Sequence, residues 1–292
     1  GEAMMLPTTT VKATLARQSS GLCRRRRRLG TFALAWGDTS TPWDWGSRVL
    51  TLSDHASSSL GGEAFAALWR NERLYFRAHA ARFFDLEPSK HASVDLEARV
   101  VAVGRSSFTY ECDLKARSAV VAKTRGTFVH VVDQKSAPLP EDVAASLREA
   151  IRPPTSDAFD DDAKVVVAGV SLRKEDATWG SVARDSDTQC TSRLVRHSDC
   201  DSIGHVNNAK YVHLCFDVLQ ASRNQQIYAT PHLIAMDYLA PAIPGDLITA
   251  KLAFSDDAAY IDLLRRNPTS TDPPAICVSA TVTFFSSGVE ER

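Results

Sequence analysis

The chain has 292 residues, and its 34 Lys and Arg nearly balance its 35 Asp and Glu. That length fits two domains of ordinary size, the charge balance excludes a general electrostatic footprint for nucleic acid or an anionic membrane, and no run reaches the roughly 18 to 20 apolar residues of a membrane helix. Six cysteines without a CxxC pair exclude a zinc ribbon and a disulfide framework and fit a reducing compartment.

The chain begins with a basic extension, residues 1–44. Within it, "MMLPTTTVKATLARQSSGLCRRRRRLGTFALAWG", Met4 to Gly37, contains no acidic residue. Cationic, Ser/Thr-bearing and acid-free is the composition of a transit peptide, which predicts import into a mitochondrion or plastid and otherwise a cytoplasmic protein. A disordered basic tail is the alternative, and Arg24–Arg28 could also form a nucleic-acid arm.

A first domain is expected over 45–150. "RVLTLSD", Arg48 to Asp54, reads as a short strand ending at a polar turn. Phe65, Leu68, Trp69, Phe76 and Phe83 predict a long helix from about Glu63 to Phe84, with Glu72 interrupting its apolar stripe. "ASVDLEARVVAVGRSSFTYECDL" and "SAVVAKTRGTFVHVVD" follow as strands, by their alternation and β-branched content. A linker over 151–184 contains "IRPPTSDAFDDDAK", whose prolines and aspartates mark an exposed boundary.

A second domain, 185–292, repeats the order. "RLVRHSD", Arg193 to Asp199, is a strand and turn. Tyr211, Leu214, Cys215, Val218 and Leu219 then fall at helical spacing. "HLIAMDYLAPAIPGDLITAKLAFS", "AAYIDLLRR" and "AICVSATVTFFS" are strands. One helix followed by antiparallel strands, written twice, is an α+β architecture with internal duplication.

Between strand and helix of the second half stands "DCDSIGHVNNAKY", Asp199 to Tyr211. It resembles the Asp-x-Asp-x-x-Gly-His-Val-Asn-Asn-x-x-Tyr motif of hotdog-fold acyl thioesterases, especially the double-hotdog acyl-ACP thioesterases and their acyl-CoA relatives. The resemblance implies a tandem hotdog, each unit a long helix wrapped by a curved antiparallel sheet. It also implies a monomeric pseudo-dimer, or a homodimer of double hotdogs, that acts on acyl-CoA or acyl carrier protein without cofactor or metal.

Thioester hydrolysis needs a carboxylate or an activated water aimed at the carbonyl carbon and donors aimed at the oxygen that becomes negative. The resemblance assigns the first task to Asp201, as base or nucleophile; a turn or N-cap aspartate is the structural alternative. His205 could orient or protonate. Asn207 and Asn208 are capping residues that could also hold water or carbonyl. Backbone N–H groups from Val206 to Asn208 are the expected oxyanion donors, Gly204 would allow close approach of the backbone, and Tyr211 completes the motif. Cys200 beside His205 ranks below Asp201 as a nucleophile, and Asp199, Asp201, His197 and His205 match no metal-ligand spacing. Glu72 is a candidate acid reaching across the interface, since some hotdog thioesterases carry a glutamate on that helix.

Aligning "RVLTLSD" on "RLVRHSD" places Ala56, Ser59 and Leu60 opposite Asp201, Gly204 and His205, which predicts a degenerate first repeat. Plant-type acyl-ACP thioesterases carry asparagine where this chain has Ile203, and an acid or cysteine on a later strand near Leu239–Pro241; Asp237 is the nearest acid. The expected function is acyl thioester hydrolysis. A catalytically silent hotdog subunit that binds acyl groups or scaffolds an organellar complex is the alternative, and a hotdog hydratase or dehydratase ranks third.

Overall fold

The computed structural model describes residues 27–33, 42–57, 60, 65–68, 73–84, 93–151, 190–222, 231–254 and 258–284. Most of the expected transit segment, residues 152–189 of the linker, and Glu72 lie outside them.

The first half runs β1 (Arg27–Ala33), α1 (Pro42–Ser57), β2 (Leu74–Phe83), β3 (Ser93–Val103), β4 (Ser107–Ala116) and β5 (Ala119–Val132). A two-residue strand β6 (Lys135–Ser136) and a helix α2 (Glu141–Glu149) follow. The second half runs β7 (Cys190–Leu194), a single 3₁₀ turn (His197–Asp199), α3 (Asn208–Ala221), β8 (Pro231–Tyr238), β9 (Leu247–Phe254), β10 (Ala258–Arg266) and β11 (Ala275–Phe284). The order strand, helix, four strands is therefore written twice, as the duplication predicts.

One sheet unites them in the order β1-β3-β4-β5-β2-β8-β11-β10-β9-β7, with β6 paired only to β5. Read from either end the sequence of elements is the same, so a pseudo-two-fold axis passes through the central β2–β8 seam. There Ala78 faces Asp237 and Ala80 faces Ala235 in antiparallel register. The two helices meet across the same axis: the Ser47 hydroxyl donates to the Ala209 carbonyl at 3.2 Å. Gly46 lets α1 lie close on β8, because a Cβ there would stand 3.0 Å from the Ile234 side chain. Each unit is a helix against an antiparallel sheet, the hotdog arrangement.

Two expectations for the first half are overturned. "RVLTLSD" lies inside α1 and is not a strand, and the segment expected as a helix from Glu63 to Phe84 ends in strand β2. The cause is the composition of the buried stripe of α1. Gly46, Val49, Leu50, Ser53, Ala56 and Ser57 are buried at helical spacing, yet half of them are Gly or Ser, so no apolar period marks the helix. Tertiary burial decides the helix, and "LYFRAHAARF" is claimed by the sheet because β2 must supply the seam. The residue alignment of the two repeats falls with it, since "RVLTLSD" is helical while "RLVRHSD" leads out of β7. The first unit also begins earlier than residue 45, as β1 and the first turn of α1 belong to it.

The core is continuous through both units. Aromatic rings fill the first half, with Phe108 and Phe128 stacked at 5.2 Å and Phe65 edge-on to Phe108 at 5.3 Å. On the other face of the first sheet, Arg99 donates to Glu111 and Asp113, and Arg125 donates to the second oxygen of Glu111. All four charged groups are buried.

Candidate active site

The loop from Asp199 to Asn207 is held from both sides. Asp199 is buried; its carboxylate accepts from the Arg193 guanidinium at 2.9 Å and from the Arg196 N–H at 3.0 Å. The Asn207 N–H donates to the Asp199 carbonyl, and the Val206 N–H donates to Ala242, in the turn between β8 and β9. Cys200 and Val206 pair as an antiparallel bridge, which closes a narrow loop over Asp201–His205.

Inside that loop Asp201 is exposed, and its Oδ1 accepts the N–H groups of Ile203 at 3.0 Å and His205 at 3.2 Å. The Asp201 N–H in turn donates to the His205 carbonyl at 2.8 Å. Asp201 thus organises the turn that presents His205, as the structural alternative predicts, while its other carboxylate oxygen makes no hydrogen bond among the described residues. Gly204 stands at φ +78° with nothing within 4 Å of a Cβ position. Its glycine is demanded by the left-handed backbone and not by a close neighbour, a different reason from the one the motif suggests.

Asn207 is the N-cap of α3: its Oδ1 accepts the Ala209 N–H at 2.9 Å. The expected oxyanion donors are therefore mostly committed. Val206 and Asn207 already donate to Ala242 and Asp199, and the Asn208 N–H is the one in that set with no acceptor among the described residues. Tyr211 is buried, its ring 5.9 Å from that of Tyr238. Burial pushes its hydroxyl pKa upward, so it is a neutral core residue. The Cys200 thiol pKa is raised, first by desolvation and then by Asp201 and Asp199, which disfavours the thiolate that a nucleophile needs. A small pocket of about 60 Å³ opens on the outer side of α3, lined by Arg193, Lys210 and His213 among others. Arg193 is engaged there by Asp217 as well as Asp199.

His205 is the loop residue that crosses to the other unit. Its ring lies 6.0 Å from that of Tyr75 on β2. Along the same strand is a group that the sequence reading did not find. His79 is fully buried, and its Nδ1 lies 3.6 Å from Asp54 Oδ1 on α1. Phe76 stacks on His79 at 5.2 Å and lies 6.2 Å from Tyr238 of the second unit. Desolvation pushes the His79 pKa down to about 3 and raises that of Asp54 well above its ordinary value. The signal was present as Ser53, Asp54 and Ser57 at helical spacing, but only a reader who placed a helix there could have used it. Asp237 sits at the seam, 3.9 Å from the Arg77 guanidinium.

Residues 182–268 match the model of the acyl-ACP thioesterase C-terminal domain. No curated protein sequence matches the chain. Among solved structures, the 12:0-ACP thioesterase from Umbellularia californica superposes with a TM-score of 0.61 at 14% identity, covering 88% of this chain and 96% of that one. An acyl-ACP thioesterase from Bacteroides thetaiotaomicron gives 0.59 at 13% identity with the same coverage, 88% and 96%. At such identities the superpositions establish the fold; the family match lies on the half that bears the motif. The chain therefore has the tandem hotdog fold of these acyl-ACP thioesterase structures, and its second unit matches the acyl-ACP thioesterase C-terminal domain.

Proposed function

We propose that the chain releases free acids from acyl groups carried on acyl carrier protein, at a site where the Asp201–His205 loop of the second unit meets β2 of the first. The observation that carries this reading is the contact of His205 with Tyr75 across the seam. The family match supports the carrier protein over CoA.

The chemistry divides among few groups. Asp201 takes a proton from water through the carboxylate oxygen not engaged by the loop, as the hydroxide forms its bond to the thioester carbonyl carbon. The Asn208 N–H, at the positive end of α3, faces the developing oxyanion. Collapse of the tetrahedral intermediate breaks the C–S bond, and the departing thiolate takes a proton from His205 or from the protonated Asp201. Neither acid nor base needs a metal for this.

The test is turnover of a panel of acyl-ACP and acyl-CoA thioesters by the wild type, Asp201→Asn and His205→Ala. A loss of kcat of about a hundredfold or more in each variant is expected, the usual size of a general acid–base contribution. Unchanged turnover in both would remove the assignment. No hydrolysis by wild type, with partners co-purifying, would favour a silent binding subunit.

A further inference from the structure

The Asp201–His205 loop leaves β7 and returns to α3, and both of its ends are bonded to one turn. On the outgoing side the Val195 N–H donates to the Asp246 carbonyl at 2.8 Å, and the Val195 carbonyl accepts the Gly245 N–H at 3.0 Å. On the returning side the Val206 N–H donates to the Ala242 carbonyl at 2.9 Å. Everything from Arg196 to His205, Asp201 included, is strung between these attachments on Ala242–Asp246. The placement of the loop is inherited from that turn.

The turn has two sources of order. Ile243-Pro244-Gly245-Asp246 has the residue order of a type II turn: proline sets φ at the second position, Gly245 takes φ +91° at the third, and the Asp246 N–H closes it on the Ile243 carbonyl at 3.1 Å. Backbone chemistry alone makes such a turn. The second source is the Asp246 side chain, which is buried; its Oδ2 accepts the Ile243 N–H at 3.1 Å and lies 3.5 Å from the Arg265 guanidinium on β10. A buried carboxylate is unfavourable unless paired, and a Pro-Gly turn does not need one. What it adds is a tie between turn and sheet. At the start of the same connection the Leu239 N–H donates to the Cys277 carbonyl on β11 at 2.8 Å, so the segment between β8 and β9 is fixed to the second sheet at both ends.

We propose that Asp246, held by Arg265, is a positioning residue for thioester hydrolysis: by fixing the Ala242–Asp246 turn against β10 it fixes both attachments of the loop, and with them the positions of Asp201 and His205. It touches no reacting atom. The proposal rests on the function proposed above, in which Asp201 takes the proton from water and His205 meets Tyr75. Misplacing a reacting group by about 1 Å can cost on the order of a hundredfold in rate. A turn that lost the carboxylate would let both ends of the loop shift together.

Steady-state hydrolysis of acyl-ACP by Asp246→Ala, Asp246→Asn and Ile261→Ala, each as the full chain, tests it, with nitrogen NMR of the His205 ring as a readout that needs no turnover. Ile261 is a buried core residue on the same strand as Arg265 and supplies the comparison for a plain loss of stability. Asp246→Ala should lower kcat by roughly tenfold to a hundredfold with KM changed less than about threefold. Asp246→Asn, which keeps an acceptor for the Ile243 N–H, should recover most of that kcat, and Ile261→Ala should keep it. The His205 ring signals should move in Asp246→Ala and stay in Ile261→Ala. Full kcat in Asp246→Ala, a loss confined to KM, an equal loss in Ile261→Ala, or unmoved His205 signals overturns the positioning role. Should Asp246→Ala fail to fold, Arg265→Met takes its place: it removes the tie to β10, and must lower kcat with KM little changed and move the His205 signals, or the proposal fails. Signals that move as expected in a protein whose wild type hydrolyses no acyl-ACP would uphold the control of the loop by Asp246 and sink the hydrolase reading alone.

Discussion

Gly204 carries the strain of the active loop in its own backbone. At φ +78° an L side chain is disfavoured by about 1–2 kcal/mol even though the space around it is open. Gly204→Ala should therefore lower stability by about that much in urea denaturation, and should lower kcat more than a variant of equal stability loss elsewhere, because the Asp201–His205 turn reshapes. Loss of stability without an added loss of kcat would mean that the turn does not position His205. A second residue-scale test concerns pH. The His79 value is depressed from 6.5 to about 3, so its contribution to stability is full above pH 6.5 and is lost as pH falls toward 3. The Asp54 value is raised above 3.8, so its contribution is full below that pH and is lost as pH rises toward the raised value. Above pH 3.8, as far as the raised Asp54 value extends, the two slopes oppose, so the Asp54 term offsets part of the His79 gain in wild type. Asp54→Asn, which keeps only the His79 term, should gain about 2 kcal/mol from pH 5 to 6.5, more than wild type gains over the same range. Parallel curves for the two proteins would contradict the pairing.

At the scale of elements, the first sheet is tied by the Arg99–Glu111–Arg125 cluster, in which one buried carboxylate serves two guanidinium groups. Removing that charge takes a buried carboxylate from both cations, although Arg99 keeps Asp113, so Glu111→Gln should destabilise by about 3 kcal/mol, read as a lower denaturation midpoint with an unchanged slope. A change under 1 kcal/mol would show the cluster to be solvent-screened. Beneath it, Gly126 has no room for a side chain, since a Cβ would stand 2.4 Å from the Tyr110 ring. Elements differ in how legible they were. The strands from β3 to β5 and from β8 to β11 alternate strongly and were readable. α3 was readable because Leu214, Cys215, Val218 and Leu219 are apolar on one face. α1 was not, because Gly46, Ser53 and Ser57 occupy buried positions that a sequence reader counts as polar. The motif residues could be named from their order alone, but that order could not reveal that the N–H groups of Val206 and Asn207 are spent on loop bonds, nor that Tyr75 faces His205.

At the scale of the molecule, duplication makes one sheet with a seam, and the two halves have diverged around it. The second unit keeps the loop that presents His205 and an apolar helix face; the first supplies Tyr75 and the polar nest of Asp54 and His79. On the proposed function the active centre is a property of the pair and belongs to neither unit alone. The most direct measurement is the release of free thiol from acyl-ACP by the wild type and by Tyr75→Ala, a residue of the first unit that the matched second-unit domain does not contain. Catalysis at the seam predicts turnover by wild type and a loss of tenfold or more in kcat/KM for Tyr75→Ala with the fold intact. Full activity in that variant, or no thiol release by wild type on any acyl chain, would contradict it.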